Sequence, residues 1–436
     1  MKKIILLLVF FLNCFFLQAQ PSYCLDSCIA LALKQNVEIK NKLLQIDMAK
    51  QTKKEAFTKY FPNISANFIG FAARVDGGIN AKYNAVIDNY DLPPTQVNLC
   101  YKLLINKGFA TGVTAIQPIF AGGRIFTGNK LANIGIKVEK LQLSLTENEI
   151  KRKIEELFFQ IISLEEKKKT IDIVSTQLNN IHKDAEVSVK AGLINANDFL
   201  KVQLKQQEIE SAKIKVENGI RMSKLALRQY TGIPEKDFNI IYDSISMPAS
   251  PLTYYLPPEE AVNKRIENQL LQCQKEANKL QKQMEIGKYL PSIAIGGSYL
   301  YNEMVNSKNN IGFVFGIISI PISDWWGGAH AIQKHRLQEK IDNNNYENNI
   351  QLLQLEIEQS WNELNEAYMQ LQISQLAIAQ TQDNLRIYND RYLSGTITLS
   401  NLLEIQTLLQ QNQDAYLDAY ITFTKKRTYY LQITGQ

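Results

Sequence analysis

The chain has 436 residues, 45% of them hydrophobic, and a formal net charge of +5. This length suffices for one large unit or for about two or three ordinary domains. So small a net charge does not indicate a nucleic-acid-binding surface, and no nucleic acid is predicted as a partner.

Residues 1–19 are predicted to be a secretory signal peptide. Lys2 and Lys3 supply its positive region, residues 4–12 are apolar, and Ala19 is a small residue at a plausible cleavage site. The mature chain is therefore expected to be exported.

The cysteines give no strong signal. Lipidation at Cys14 is disfavoured because Asn13 is not small and apolar residues follow. Four cysteines remain after cleavage: Cys24, Cys28, Cys100 and Cys273. The spacing of the first two permits a disulfide or a metal pair, but scattered structural thiols are favoured.

In chain order, the first half predicts a helical segment at about Leu25–Lys59, followed by two strands. The strands are Asn63–Ala72 and Phe109–Gln117, separated by a polar loop at about Arg74–Lys107. Each strand alternates apolar with small or polar residues, which is the pattern of a half-exposed strand.

A long helical hairpin follows the second strand. Residues 119–233 contain no proline, which would interrupt a helix. A helix over Ile125–Lys190 would be about 100 Å long at about 1.5 Å per residue. Gly192 is predicted to break it, and a second helix runs from about Asn197.

Residues 259–436 repeat this order. A helix at about Glu259–Lys288 is followed by strands at Ser292–Tyr301 and Ile311–Ile318, with polar residues 302–310 between them. A helical hairpin that turns at Gly395 comes last. The motif Tyr60-Phe61-Pro62-Asn63-Ile64 recurs as Tyr289-Leu290-Pro291-Ser292-Ile293, an offset of 229. Three later pairs share an offset of 203, and they are Pro118/Pro321, Gly192/Gly395 and Gly232/Gly435. These offsets predict two internal repeats, 20–232 and 259–436, joined by the segment 233–258.

The long helices carry a narrow heptad seam with many glutamines and asparagines outside it. The helix around Ile357–Tyr392 alternates steps of four and three between seam positions. Two readings stay open on this pattern alone: an ordinary antiparallel coiled coil, or a helix pair that lines water.

The four strands have about 9–11 residues each, the length that a tilted strand needs to cross a bilayer. Two soluble hairpins packed on a helical body are the alternative. Four strands cannot close a membrane barrel, because about eight is the smallest common number. Strands that span a membrane would therefore require oligomerisation; two chains would supply eight strands and three would supply twelve.

No enzyme is predicted. Nucleotide-binding, zinc-protease and serine-hydrolase motifs do not occur in the sequence. The three histidines are His182, His330 and His335, and the last two are five residues apart, which does not place them on one helical face. Neither a metal nor a cofactor is expected.

The order and duplication of these segments resembles the TolC-like outer-membrane efflux proteins over essentially the whole mature chain. The resemblance rests on the signal peptide and on three kinds of landmark: the strand entries Tyr60-Phe61-Pro62 and Tyr289-Leu290-Pro291, the hairpin tips at Gly192 and Gly395, and the strand-to-helix junctions with Gly122, Gly123, Gly327 and Gly328.

The resemblance implies a mixed α+β membrane protein. It would be a homotrimer whose four strands per chain form a twelve-strand outer-membrane β-barrel in contact with lipid, continued by a long α-helical barrel in the periplasm. Segment 233–258 would lie in a belt around that barrel. The expected partners are a periplasmic adaptor (membrane fusion) protein and an inner-membrane RND or ABC transporter, and the sequence leaves both the pump type and the cargo open.

The resemblance also implies a periplasmic aperture at the hairpin tips, 191–201 and 394–404. Asp198 and Tyr392 match a tip aspartate and a tip tyrosine that link in the family. The family's basic gate residue is replaced by Ile397, and its two acidic residues correspond to Asn401 and Glu404. We expect closure by helix packing and an Asp198–Tyr392 hydrogen bond, although Asp198 is also an ordinary helix-start residue.

The competing function is a periplasmic coiled-coil adaptor or scaffold without a pore. It would share the signal peptide and the helical hairpins. It would have no need for two pairs of membrane-length strands.

Overall fold

The structure, a computed structural model, describes residues 21–71, 108–192, 195–242, 245–304 and 307–436. The predicted signal peptide with Cys14, the loop 74–107 and Cys100 lie outside the described residues.

The helices and strands follow the predicted order in both halves. The first half forms β1 (Ser22–Tyr23), α1 (Leu25–Gln35), α2 (Val37–Thr58), β2 (Asn63–Phe71), β3 (Gly108–Ala121), α3 (Arg124–Lys190) and α4 (Ala196–Thr231). The second half forms β4 (Asn239–Ile240), a 3-10 turn (Pro251–Tyr254), α5 (Pro258–Lys264), α6 (Ile266–Lys288), β5 (Ser292–Met304), β6 (Ser307–Ser319), α7 (Asp324–Leu393) and α8 (Leu399–Thr434). Helix α3 begins one residue before its predicted start and ends at the predicted Lys190.

Each half breaks its first helical segment once, where the sequence predicted a continuous helix. The breaks fall at Asn36 and Arg265, which are 229 residues apart and have extended ψ angles of 137°. Neither site contains glycine or proline, so local propensity gave no warning of the break.

Buried polar side chains stabilise both breaks. Asn36 is 8% exposed; its amide nitrogen donates to the Tyr230 carbonyl at 3.2 Å, and its side-chain oxygen accepts from the Glu38 backbone at 2.8 Å. Arg265 is 4% exposed and donates two hydrogen bonds to Glu267 and one to Glu356. Burial of these groups is tolerated because each polar atom that turns inward finds a partner.

The four long strands form one antiparallel sheet in the order β2-β3-β5-β6. The pairing of β5 with β6 extends to Met304 and Ser307, so most of the predicted loop 302–310 is strand instead. Strand β3 also runs beyond its predicted end, through a register shift between Pro118 and Phe120. Cross-strand pairing lengthened these strands, and it is not visible in the sequence of a single strand.

The chain divides into two compact units, and each unit draws residues from both halves. One contains the described residues up to Ile46 together with Glu139–Leu271 and Tyr346–Gln436, and the other contains Asp47–Val138 and Gln272–Asn345 within their described parts. In the first unit, three apolar cores lie between helices. The second unit contains the four-stranded sheet.

Several details recur between the halves of the first unit at the sequence offset of 203. Thr231 and Thr434 are both fully buried, and each hydroxyl donates to a backbone carbonyl four residues earlier. The next residues, Gly232 and Gly435, both have left-handed φ angles, 70° and 69°, and end their helices.

In the part of the chain that the structure describes, every helix is too short or too polar to cross a lipid bilayer.

Candidate functional site

Two helical hairpins end in glycine turns at the predicted tips. Gly192 and Gly395 each have a φ of +73°, which a residue with a side chain adopts only at a cost. Leu193 and Ile194, in the first predicted tip, lie outside the described residues. The return helices are capped by Asn195 on α4 and by Thr398 on α8.

The tips share one apolar core. It contains buried residues from the ends of α3, α4 and α8, with partly buried residues of α7 packed against it: Ile171, Leu178, Ala185, Val202, Ile209, Leu399, Leu402 and Leu403, with Leu385, Tyr388 and Tyr392. Because both hairpins contribute to this core, any separation of the tips would expose apolar surface.

Asp198 is bound by a lysine of its own helix. The Lys201 ammonium donates to the Asp198 carboxylate at 3.3 Å and to the Ser400 hydroxyl at 2.7 Å. Lys201 therefore joins the start of α4 to the start of α8, which belongs to the other hairpin. The sequence reasoning missed Lys201; its position three residues after Asp198 is the spacing at which helical side chains meet.

Tyr392 lies beside the same tip cluster. Burial raises the pKa of its phenol, and the carboxylates of Asp184 and Asp198 raise that pKa further. The phenol is therefore neutral at pH 7. Among the described residues no hydrogen bond joins Tyr392 to Asp198, so the structure brings this pair near each other without the predicted bond.

Of the remaining predicted aperture residues, Ile397 precedes α8, Asn401 lies in its first turn and Glu404 lies in its second turn. Ile397 is half-buried and Glu404 is exposed. Asn401 is an exposed capping residue, since its side chain accepts from the Thr398 backbone while the Thr398 hydroxyl accepts from the Asn401 backbone. This capping explains its presence without any role at a pore.

The strand-to-helix junction of the first half is built on a close backbone approach. Gly122 has a φ of +61°, and a Cβ atom placed on it would lie 2.0 Å from the Gly287 carbonyl oxygen. Gly123 has a φ of +75° with open space around it. Gly287 was not singled out from the sequence, because a lone glycine near a helix end looks like an ordinary terminator.

The second junction is built differently from the first. Gly327 and Gly328 lie near the start of α7, which begins at Asp324. A Cβ atom on Gly328 would lie 2.8 Å from the Tyr289 ring, so this glycine allows the ring to pack against the helix. The Trp325 indole donates to the Tyr289 carbonyl at 2.8 Å and fixes the same junction.

The described cysteines are free thiols. Cys24 is exposed, whereas Cys28 and Cys273 are buried. Burial raises the pKa of Cys28 to about 12. No group of three or more metal-ligating side chains occurs within the described ranges.

A protein-family model, described as outer membrane efflux protein, matches residues 267–426 of this chain. No curated protein matches the chain.

Three solved structures of similar fold each cover 94% of this chain. CusC has a TM-score of 0.77 and 14% sequence identity, and 91% of its chain is covered. The CmeC outer membrane channel of Campylobacter jejuni has a TM-score of 0.76 and 14% identity, and 85% of its chain is covered. The outer membrane protein VceC of Vibrio cholerae has a TM-score of 0.73 and 13% identity, and 96% of its chain is covered. At these identities the likeness shows a common fold.

Proposed function

We propose that this chain, a member of the outer membrane efflux protein family over residues 267–426, is the passive exit duct of an efflux or type I secretion system. It is an outer-membrane efflux channel whose helical part lies in the periplasm. The observation that carries the proposal is a four-stranded sheet with one apolar face and two open edges, connected in the chain to two long helical hairpins.

The sheet has one face suited to lipid. The register places a set of apolar and aromatic side chains on this face, which we call the apolar face: Ile64, Phe68, Val113, Ile293, Ile295, Tyr299, Val314 and Ile318. All of them are exposed in the single chain. The opposite face carries Asn63, Ser65, Asn67, Thr114 and Ser298, and we call it the polar face.

The sheet edges support an oligomer. Strands β2 and β6 each have one neighbour in the described sheet, so each leaves a row of backbone groups unpaired. In lipid each unpaired group costs several kcal/mol, and a second copy of the chain can supply the missing partners. We propose a homotrimer, in which twelve strands from three copies close the barrel.

The long helices carry matching exposed stripes. On α7 a stripe at heptad spacing includes Leu352, Leu355, Met369, Ile373, Leu376 and Ile387. On α4 a second stripe includes Leu200, Leu204, Ile214, Met222 and Leu225. Apolar side chains repeating at this spacing are those that pack between helices, which favours a neighbouring copy as their cover.

The internal repeat and the partners belong to the same proposal. The equivalent helix breaks at Asn36 and Arg265, and the equivalent caps at Gly232 and Gly435, support two copies of one structural unit. A periplasmic adaptor and an inner-membrane pump of the RND or ABC class would deliver cargo at the hairpin tips.

Asp198, Tyr392 and Lys201 are proposed to hold the tips closed. We expect Tyr392→Phe to raise single-channel conductance, because it removes the hydroxyl that is proposed to donate to Asp198 in the closed state. Tyr388→Phe, one turn earlier in the same apolar core, is the matched control. Unchanged conductance of the Tyr392 variant would remove this residue from the gate.

One experiment tests the channel itself. Detergent extraction of the outer-membrane fraction, followed by reconstitution into a planar bilayer, is expected to give discrete conductance steps. A protein that is released without detergent and gives no conductance would support the alternative, a scaffold without a pore.

A further inference from the structure

Strand β6 departs from the polarity of the sheet. Ser65 pairs with Thr114, Thr114 with Ser298, and Ser298 with Phe313, so these four side chains form one row across the polar face. The first three are hydroxyls, and Thr114 and Ser298 are hydrogen-bonded at 2.9 Å. The row ends on β6 in an aromatic ring.

The departure extends along the middle of the strand. Four successive β6 side chains on the polar face are apolar, and we call them the β6 apolar row: Ile311, Phe313, Phe315 and Ile317. The next one on this face, Ser319, is polar. Leu300 on β5, directly opposite Ile311, continues it sideways. Half of the Ile311 side chain and 45% of the Phe313 side chain are exposed. Apolar side chains therefore occupy a face that β2, β3 and β5 keep mainly small or polar.

Small residues on β5 hold the rings in place. A Cβ atom on Gly296 would lie 2.5 Å from the Phe315 ring, so this ring leans over the glycine. Ser298, opposite Phe313, is only 8% exposed. The Phe313 and Phe315 ring centroids are 5.7 Å apart. The row is thus a preformed surface, whose side chains lose little further freedom when a molecule contacts it.

Charge is excluded from this part of the sheet. Within the described strand residues, the charged side chains are Glu303 and Lys308, which lie 3.9 Å apart at one end. A hydrated ion therefore meets no counter-charge beside the β6 apolar row. An apolar group meets surface that is otherwise left in water, and its removal from water favours contact.

We propose that the β6 apolar row is a contact surface for the apolar part of cargo molecules in the channel lumen. The inference rests on the proposed function, because the duct supplies the water-filled side of the sheet along which cargo passes. It predicts that the cargo consists of organic molecules with aromatic or aliphatic groups. It also predicts that small hydrated ions do not bind at this surface.

The test is block of the potassium chloride current through the reconstituted full chain by tetraphenylphosphonium, added from the side of the strands. Tetramethylammonium, with the same charge and little apolar surface, is the reference probe. We expect half-block by tetraphenylphosphonium at a concentration at least about ten-fold lower than by tetramethylammonium. Equal block by the two cations would overturn the inference.

Variants locate the contact. Phe313→Ser with Phe315→Ser should weaken block by tetraphenylphosphonium about ten-fold, whereas Phe313→Leu with Phe315→Leu should keep it within about three-fold. Asn67→Ser, a change on the same face of β2, is the control. Unchanged block in the serine variant would overturn the inference.

If the serine variant does not insert, the test uses the wild-type protein with tetramethyl-, tetraethyl- and tetrabutylammonium. Block by these ions should strengthen as their alkyl chains lengthen. A block independent of chain length would count against the row. Absence of any current in the wild type would instead refute the proposed function.

Discussion

At the scale of single residues, Lys201 changes which contacts are expected to hold the hairpin tips together. The absence of a basic side chain at Ile397 suggested that no charged group holds the tips together. Lys201 supplies one from the other hairpin, through Asp198 and Ser400. Its contribution to stability is small, because half-exposed ion pairs contribute about 0–1 kcal/mol. A small energy is sufficient to bias a gate whose two states are close in free energy.

Lys201→Ala is expected to raise open-state occupancy in single-channel recordings, because it removes the bond between α4 and α8. Lys205→Ala is the matched control: it loses the same charge, but Lys205 pairs with Glu208 inside α4. Equal recordings for the two variants would show that the cross-hairpin bond does not restrain the tips.

Thiol reactivity should differ between two cysteines of α1 and its cap. A hydrogen bond with Ser27 lowers the pKa of exposed Cys24, whereas burial raises that of Cys28 to about 12. Since the thiolate is the reactive form, iodoacetamide at pH 8 should label Cys24 and spare Cys28 until the protein unfolds. Peptide mass spectrometry measures both sites, and labelling of Cys28 in the folded protein would contradict the structure.

At the scale of elements, the junction between β3 and α3 depends on two glycines for different reasons. Gly123 provides a left-handed backbone in open space, whereas Gly122 also lets the backbone of Gly287 approach. In the second half, the chain passes from β6 to α7 through a turn at 322–323, and Gly328 lies under the Tyr289 ring. Equivalent junctions therefore use different local chemistry.

Gly123→Ala should lower the free energy of unfolding by about 1–2 kcal/mol, the cost of a left-handed residue with a side chain. Gly122→Ala bears that cost and must also displace the backbone at Gly287, so its melting temperature in detergent should fall further. Equal melting temperatures for the two variants would contradict the close approach.

At the scale of the whole molecule, the described chain leaves apolar surfaces uncovered. Three of them are the apolar face of the sheet and the stripes on α4 and α7. A water-soluble monomer would be penalised for each of them. Lipid on the sheet and sister copies along the helices would cover all three, which is why assembly state is the test at this scale.

Ile373→Asp should shift the detergent-solubilised protein from oligomer towards monomer, because it places a charge in the α7 stripe, where Ile373 is 59% exposed in the single chain. Gln375→Asp introduces the same charge at an exposed position that has no stripe residue three or four positions away. Light scattering after gel filtration measures the mass. An unchanged oligomer in both variants would exclude this stripe as an interface.

The sequence by itself determined the order of helices and strands, because the signals involved are local. Proline-free runs and the glycines at the tips set α3 almost to the residue, since these residues act on the backbone at their own position. Alternation likewise identified all four long strands. Metal, enzyme and nucleic-acid motifs are recognised by type and spacing, and the sequence offered none.

Tertiary structure decided everything that depends on a distant partner. Asn36 and Arg265 interrupt helices because their buried side chains bond to residues far along the chain, such as Tyr230 and Glu356. The full lengths of β5 and β6 follow from their pairing with each other.

The link from Lys201 to Ser400 spans 199 residues, and the position of the β6 apolar row follows from cross-strand register. These are contacts between segments that are distant in the sequence. The residue pattern of one segment does not predict which residues of another segment it contacts.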